Sequence, residues 1–319
     1  VRPLPRPAVL LGLLIGAVAV STSAILARVA MGEDPGVATA AQGSAPALAV
    51  AFWRTALGAL ALAPSAVRRQ RRAGRPLTTV RHRQLFGSGC SLALHFALFQ
   101  GALALTTVAS AVTLVTMSPV FVALGGWWWL HERTERRTVV GMALTIVGAV
   151  VIGVGDATAL DFGRQALLGD AMAFGGAIAI TGYLLVGRVA RRDVPATVYS
   201  CVVYAWAALV LLVVCLLLRV PLVGYAPTTW LAIAGIVIGP QLLGHTVFNT
   251  LLASVPATVV SIVVLSEPVG AGLLAWLLLD ELPAGPFAFG APLVLIGVAI
   301  ATARRRRARE AAEVTARET

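Results

Sequence analysis

The chain has 319 residues, of which 58% are hydrophobic and only 12% charged, and its mean hydropathy is +0.87. Soluble domains carry about 25% charged residues, so a water-borne globular protein is excluded. The net charge of +11 would suit nucleic acid, but the basic residues, all arginines, gather in alternate connections between apolar runs, which points to membrane topology and away from a nucleic-acid partner.

Ten apolar runs follow one another, most of them about the length that crosses a bilayer. Ala8–Ala30 is too long and too poorly flanked for a cleaved leader; it carries Ser21, Thr22 and Ser23, and Gly12/Gly16 suit close helix packing. Leu48–Ala63 holds Arg54 on a side shared with Val50, Ala51, Gly58 and Ala61, so the arginine is expected to face the bundle. Arg68, Arg69, Arg71, Arg72, Arg75, Arg81 and Arg83 follow it. Leu85–Leu105 and its flank put Gln84, Ser88, Ser91 and His95 on one helical stripe. Val108–Leu130 contains Ser110, Thr113, Thr116 and Pro119, and is followed by Glu132, Arg133, Arg136 and Arg137.

The fifth run is Val139–Val154; the sixth, Ala166–Val189, carries Gly175, Gly176 and Tyr183, with Arg188, Arg191 and Arg192 at its end. Val198–Leu218 includes Tyr204 and Trp206, aromatics that, like Trp53 and Tyr183, could pack or stack on a ligand. Trp230–Leu252 sets Gln241, His245 and Asn249 at i, i+4 and i+8. In Ala257–Leu279 a glutamate, Glu267, precedes Pro268, and after Phe287–Ala303 come Arg304 to Arg307 and Arg309. The remaining connections hold only Arg28, Arg164 and Arg219, beside Glu33, Asp34, Asp156 and Asp161. The positive-inside pattern places both termini in the cytoplasm, and the chain in the cytoplasmic membrane. With no water to satisfy backbone groups, the expected fold is an all-α polytopic membrane protein.

Shifted by 149, residues 94–148 align with 243–297 without a gap, matching Pro119/Pro268, Trp127/Trp276, Glu132/Glu281, Gly141/Gly290 and Gly148/Gly297. The expected organisation is therefore a first repeat at 1–155, a second at 156–303 and a basic tail at 304–319. With five helices each, the copies would enter the membrane from opposite sides, a device of secondary transporters. SPVFVAL…HER and SEPVGAGLLAWLLLDE, with AFWRTALGALAL, LALHFALF and LLGHTVFNTLL, resemble the EamA-type branch of the drug/metabolite transporter superfamily over nearly the whole chain. The resemblance implies ten transmembrane helices in two inverted five-helix repeats and carrier-mediated movement of small metabolites, most often export of amino acids or their relatives. It departs at His131 and Asp280, where that pattern usually has glycine.

Ionisable groups inside such runs suggest function. Glu267, beside small Gly270 and Ala271, suits an ammonium group or a proton, and Pro268 breaks the helix there, as Pro119 does in the first copy. Arg54 could pair with Glu267 or hold a substrate carboxylate. His95 and His245 could relay protons or tie helices together, and the repeat maps Gln100 onto Asn249 while missing the histidine pair by one residue. The pathway candidates are Glu267, Arg54, His245, Asn249, Gln241, His95 and Tyr183, with breaks at Pro119 and Pro268. Glu132 and Glu281 are expected to receive hydrogen bonds from the next helix. Cys90, Cys201 and Cys215 have no metal spacing, and there is no nucleotide loop or catalytic set, so no enzyme, cofactor or metal is expected. Substrate and lipid are the expected partners, a homodimer stays open, and a channel or a scaffold is the rival reading.

Overall fold

The computed structural model describes residues 4–32, 43–74, 77–106, 108–115, 117–156, 164–279 and 285–302, and among these every regular element is a helix. Arg75, Thr116, Asp161, Asp280, Glu281, the acidic pair Glu33 and Asp34, and the basic tail lie outside them. In chain order the helices are α1 (Arg6–Ser21), α2 (Ser23–Met31), α3 (Ala47–Ala73), α4 (Thr79–Leu105), α5 (Val108–Val115), α6 (Ser118–Leu130) and α7 (Arg136–Asp156). The second half holds α8 (Arg164–Ala190), α9 (Ala196–Leu217), α10 (Pro227–Ile236), a π-helical segment (Val237–His245), α11 (Thr246–Leu251), α12 (Ala257–Val264), α13 (Glu267–Leu279) and α14 (Phe287–Thr302). Eight stretches among the described residues are long and apolar enough to cross a membrane, and α14, with 16 residues, is a shorter apolar helix. The protein is therefore a multi-pass helical membrane protein.

Four of the apolar runs are discontinuous. Thr22 separates α1 from α2, Met117 lies between α5 and α6, and Leu265 and Ser266 separate α12 from α13. The last two breaks are repeat mates. In each, a proline is the second residue of the new helix, Pro119 in α6 and Pro268 in α13, where its missing N–H costs nothing. Each ends its first helix with a tight backbone bond, from Met117 to the Leu114 carbonyl at 3.1 Å and from Ser266 to the Val263 carbonyl at 3.0 Å. Around the breaks hydroxyls bond nearby carbonyls: Ser21 to Ala17 and Thr22 to Ala19, both 2.8 Å, and Ser266 to Val263 at 2.7 Å. Pro240 lies inside the π-helical segment, whose wider turn relieves the clash a proline makes with the preceding turn.

Helix packing follows the repeat. α7 lies on α14, α3 on α9, and α8 packs on α4 and α5 as α1 packs on the π-helical segment, α11 and α12. The matched glycines meet crosswise: a Cβ on Gly141 would fall 2.6 Å from the Gly297 carbonyl, and one on Gly148 would fall 2.7 Å from the Gly290 carbonyl. The early part of one helix thus meets the late part of the other, so these repeat mates run antiparallel. Closeness of this kind is how helices associate where lipid removes the hydrophobic drive between them.

Candidate functional site

The four discontinuities converge on one small cavity of about 60 Å³. Val20 and Ser23 flank the first break, Val115 and Ser118 the second, Val264 and Glu267 the third, and His245 closes the π-helical segment; all seven line it. The 149-residue shift carries Val115 onto Val264 and Ser118 onto Glu267. Equivalent positions of the two copies thus line the one cavity, with a hydroxyl in one copy and a carboxyl group in the other.

Arg54 enters this space from α3 with 1% of its surface exposed. Its Nε donates to Gln241 Oε1 at 3.1 Å, and its guanidinium lies 3.8 Å over the Phe96 ring, a desolvated cation–π contact. Its Nη2 is buried without a partner, and so is Glu267 Oε1. No ion pair joins Arg54 to Glu267 among the described residues. A guanidinium and a carboxyl group therefore line one cavity, each with a hydrogen-bonding atom unused. Buried polar atoms without partners are costly, which makes a ligand with complementary groups the natural completion. Glu267 is the first residue of α13 and is buried.

The other sequence candidates divide into lining and support. His95, His245 and Tyr183 line the cavity. His95 Nδ1 lies 2.9 Å from the Gly176 carbonyl, and His245 meets Phe96 and Tyr183 edge-on at 5.3 and 6.1 Å between centroids. Gln241 and Asn249 stand behind the lining: Gln241 steers Arg54, while Asn249 accepts from the Tyr183 hydroxyl at 2.7 Å and donates to Ser200 at 2.9 Å. In the α4 stripe Ser88 bonds Tyr199 at 2.7 Å and Ser91 bonds the Ala179 carbonyl at 2.6 Å, both contacts between helices, while His95 reaches the cavity. Trp53 and Trp206 pack against Trp230 and Phe86, and Tyr204 bonds Thr246 at 3.1 Å. Phe96, Phe99 and Phe248 also line the cavity, although a phenylalanine in an apolar run carries no signal of its own.

A second, larger cavity of about 540 Å³ opens at the arginine-rich face. Leu4 and Arg6 before and in α1, Arg133 and Glu135 after α6, Val255 and Val259 around the start of α12, and Thr302 of α14 line it, so both ends of the described chain lie on that face. It shares α1 and α12 with the inner cavity, touching Leu13 and Thr258 where the inner one touches Val20 and Ser261. At its rim Glu132 departs from expectation. It does not cap α7 but takes Arg188 of α8 at 3.1 Å and Arg192 at 3.8 Å, while Arg188 also donates to the Leu252 carbonyl at 2.9 Å. Nearby, Arg191 is buried and donates to the Asn249 carbonyl at 2.7 Å, and desolvation pulls its guanidinium down to about 10, still charged at neutral pH.

Helices broken around a central cavity that holds unpaired polar groups are the architecture of membrane transporters built from repeats. The chain belongs to the EamA-like transporter family, whose model matches it twice, over residues 7–154 and 167–303. That makes it a membrane transporter of the drug/metabolite type. A solved crystal structure described only as that of a protein superposes on it with a TM-score of 0.73 and 22% identity, over 93% of this chain and 98% of its own, which shows the fold. No curated protein matches the chain.

Proposed function

We propose that the protein is a secondary carrier that moves a small zwitterionic metabolite, an amino acid or a close relative, out across the cytoplasmic membrane by alternating access. In this reading ten helices cross the membrane as two inverted five-helix repeats, and both termini lie in the cytoplasm. The antiparallel run of α7 and α14 and the shared face of the two chain ends support that topology. The observation that carries the functional reading is the pair of unpartnered atoms, Arg54 Nη2 and Glu267 Oε1, on one cavity.

The guanidinium is suited to a substrate carboxylate, through the charge-assisted bonds that planar fork makes. Glu267 is suited to the ammonium group, and in the empty carrier to a proton, which is how substrate movement would be coupled to the proton gradient. Gln241 fixes the orientation of Arg54, and Asn249 that of Tyr183. The apolar remainder of the wall, Phe96, Phe99, Phe248 and Ile180, would receive the rest of the substrate.

Purified protein in proteoliposomes tests the proposal with a panel of labelled amino acids beside their amides and N-acetyl derivatives. A carrier of this kind gives saturable uptake that unlabelled substrate on the far side accelerates, and it loses both derivatives. A channel gives uptake that neither saturates nor accelerates, and a scaffold gives none.

A further inference from the structure

α8 carries a carboxylate that no part of the central site uses. Asp170 lies near the arginine-poor end of that helix, and its Oδ1 accepts from Thr106 Oγ1 at 2.9 Å and from Ser110 Oγ at 2.6 Å. Thr106 caps the end of α4 and Ser110 lies in the first turn of α5, so one oxygen ties α8 to the junction between them. The neighbouring residue makes the approach feasible. A Cβ on Gly169 would fall 2.9 Å from Thr106 Cβ and 3.0 Å from Leu105 Cβ, so the α8 backbone lies flush on the junction only because glycine stands there.

The repeat supplies the comparison. Shifting by 149 carries Thr106 to Val255 and Ser110 to Val259, at the junction of α11 and α12. Those two valines line the 540 Å³ opening at the arginine-rich face. α1, which packs there as α8 does on the other side, presents Leu10 and Leu13 to that opening. The same structural joint is therefore latched by two hydrogen bonds on one face and gapes on the other.

We propose that Asp170 is the latch of the outer gate, and that the structure is the state closed outside and open to the arginine-rich side. The proposal rests on the carrier reading above, but it assigns a different residue and a different step. When the carrier turns, the α8 carboxylate releases Thr106 and Ser110 to water, α5 moves away from α8, and the opening at the arginine-rich face closes. Asp170 touches no substrate; it sets the balance between the two states.

The test uses the full chain with Cys90, Cys201 and Cys215 replaced by alanine and a reporter, Val115→Cys, on the inner cavity. An impermeant maleimide is added from the arginine-poor side. Asp170→Ala should raise the labelling rate about tenfold or more, the population shift expected on losing bonds to a charged group. Asp170→Asn keeps the carbonyl acceptor and should label near the parent rate. An oxidised Ser110→Cys/Asp170→Cys pair should stop proteoliposome exchange and recover it on reduction, and this arm decides the matter if Asp170→Ala does not fold. Parental labelling in well-folded Asp170→Ala, or full exchange by the cross-linked pair, would overturn the latch. Absence of exchange in the parent protein, with labelling still shifted by Asp170→Ala, would instead sink the carrier reading and leave the latch standing.

Discussion

Replacing Gly148 by alanine is the sharpest probe of the repeat interface. The new methyl group would have to sit 2.7 Å from both the Gly290 carbonyl oxygen and the Val294 nitrogen, and 2.9 Å from Leu293 Cβ. Carbon contacts settle near 3.5 Å or beyond, so α7 and α14 must part by about 0.8 Å. Two of the three obstructing atoms are backbone, and no rotamer can yield. Overpacking of this kind costs about 1–3 kcal/mol, against a gain of about 0.5–1 kcal/mol from removing a helical glycine. Gly87, on α4, is the control, because nothing lies within 4 Å of its Cβ position. Thermal unfolding in detergent, followed by loss of the monodisperse elution peak, should show Gly148→Ala about 1–4 °C lower and Gly87→Ala unchanged or slightly higher. If Gly148→Ala is as stable as Gly87→Ala, the crosswise pairing of the matched glycines is wrong.

Glu267→Gln keeps shape and removes charge; losing a charged hydrogen bond of about 2 kcal/mol should raise the KM for a zwitterion about 30-fold with elution unchanged, and a KM within twofold of the parent would remove Glu267 from binding. His131, exposed and held at φ 53°, sits at the C-terminus of α6 in a conformation that favours glycine. His131→Gly should therefore raise thermal stability by about 1 kcal/mol, and a fall would refute the left-handed assignment. Arg188 reaches Glu132 and the Leu252 carbonyl through two different nitrogens. A lysine has one, so Arg188→Lys should cost about 1 kcal/mol in the same unfolding assay, whereas Arg137→Lys, whose partner Glu135 is 62% exposed, should cost almost nothing.

The parts of the molecule written in rare residues were legible in the sequence. Proline, tryptophan and glycine in register exposed the repeat; Trp127 and Trp276 remain 60% and 47% exposed, as residues of a lipid-facing belt do. Arg54 and Glu267 stood out because charge inside an apolar run is expensive, and both line the cavity. Regular helical periodicity said less elsewhere. Gln241, His245 and Asn249 form one stripe only at 3.6 residues per turn, whereas the chain passes through a π-helical segment up to His245, so His245 lines the cavity while the two amides support it from behind. The α4 stripe was real but faces α8 and α9, because a periodic pattern shows which residues share a side and not what that side meets. Asp170 carried no signal, since one acid near the end of an apolar run reads as interfacial until its two hydroxyl partners are seen.

The most direct measurement of substrate position is protection of a single cysteine inside the cavity. Ser23 lines it and is buried, so Ser23→Cys in the cysteine-free chain reports on that space alone. A transported zwitterion should slow alkylation in a saturable way, with half-protection at the concentration that half-saturates transport, and Arg54→Gln should abolish the protection. Alkylation that proceeds at one rate with and without saturating substrate, in a protein that still transports it, would place the binding site elsewhere.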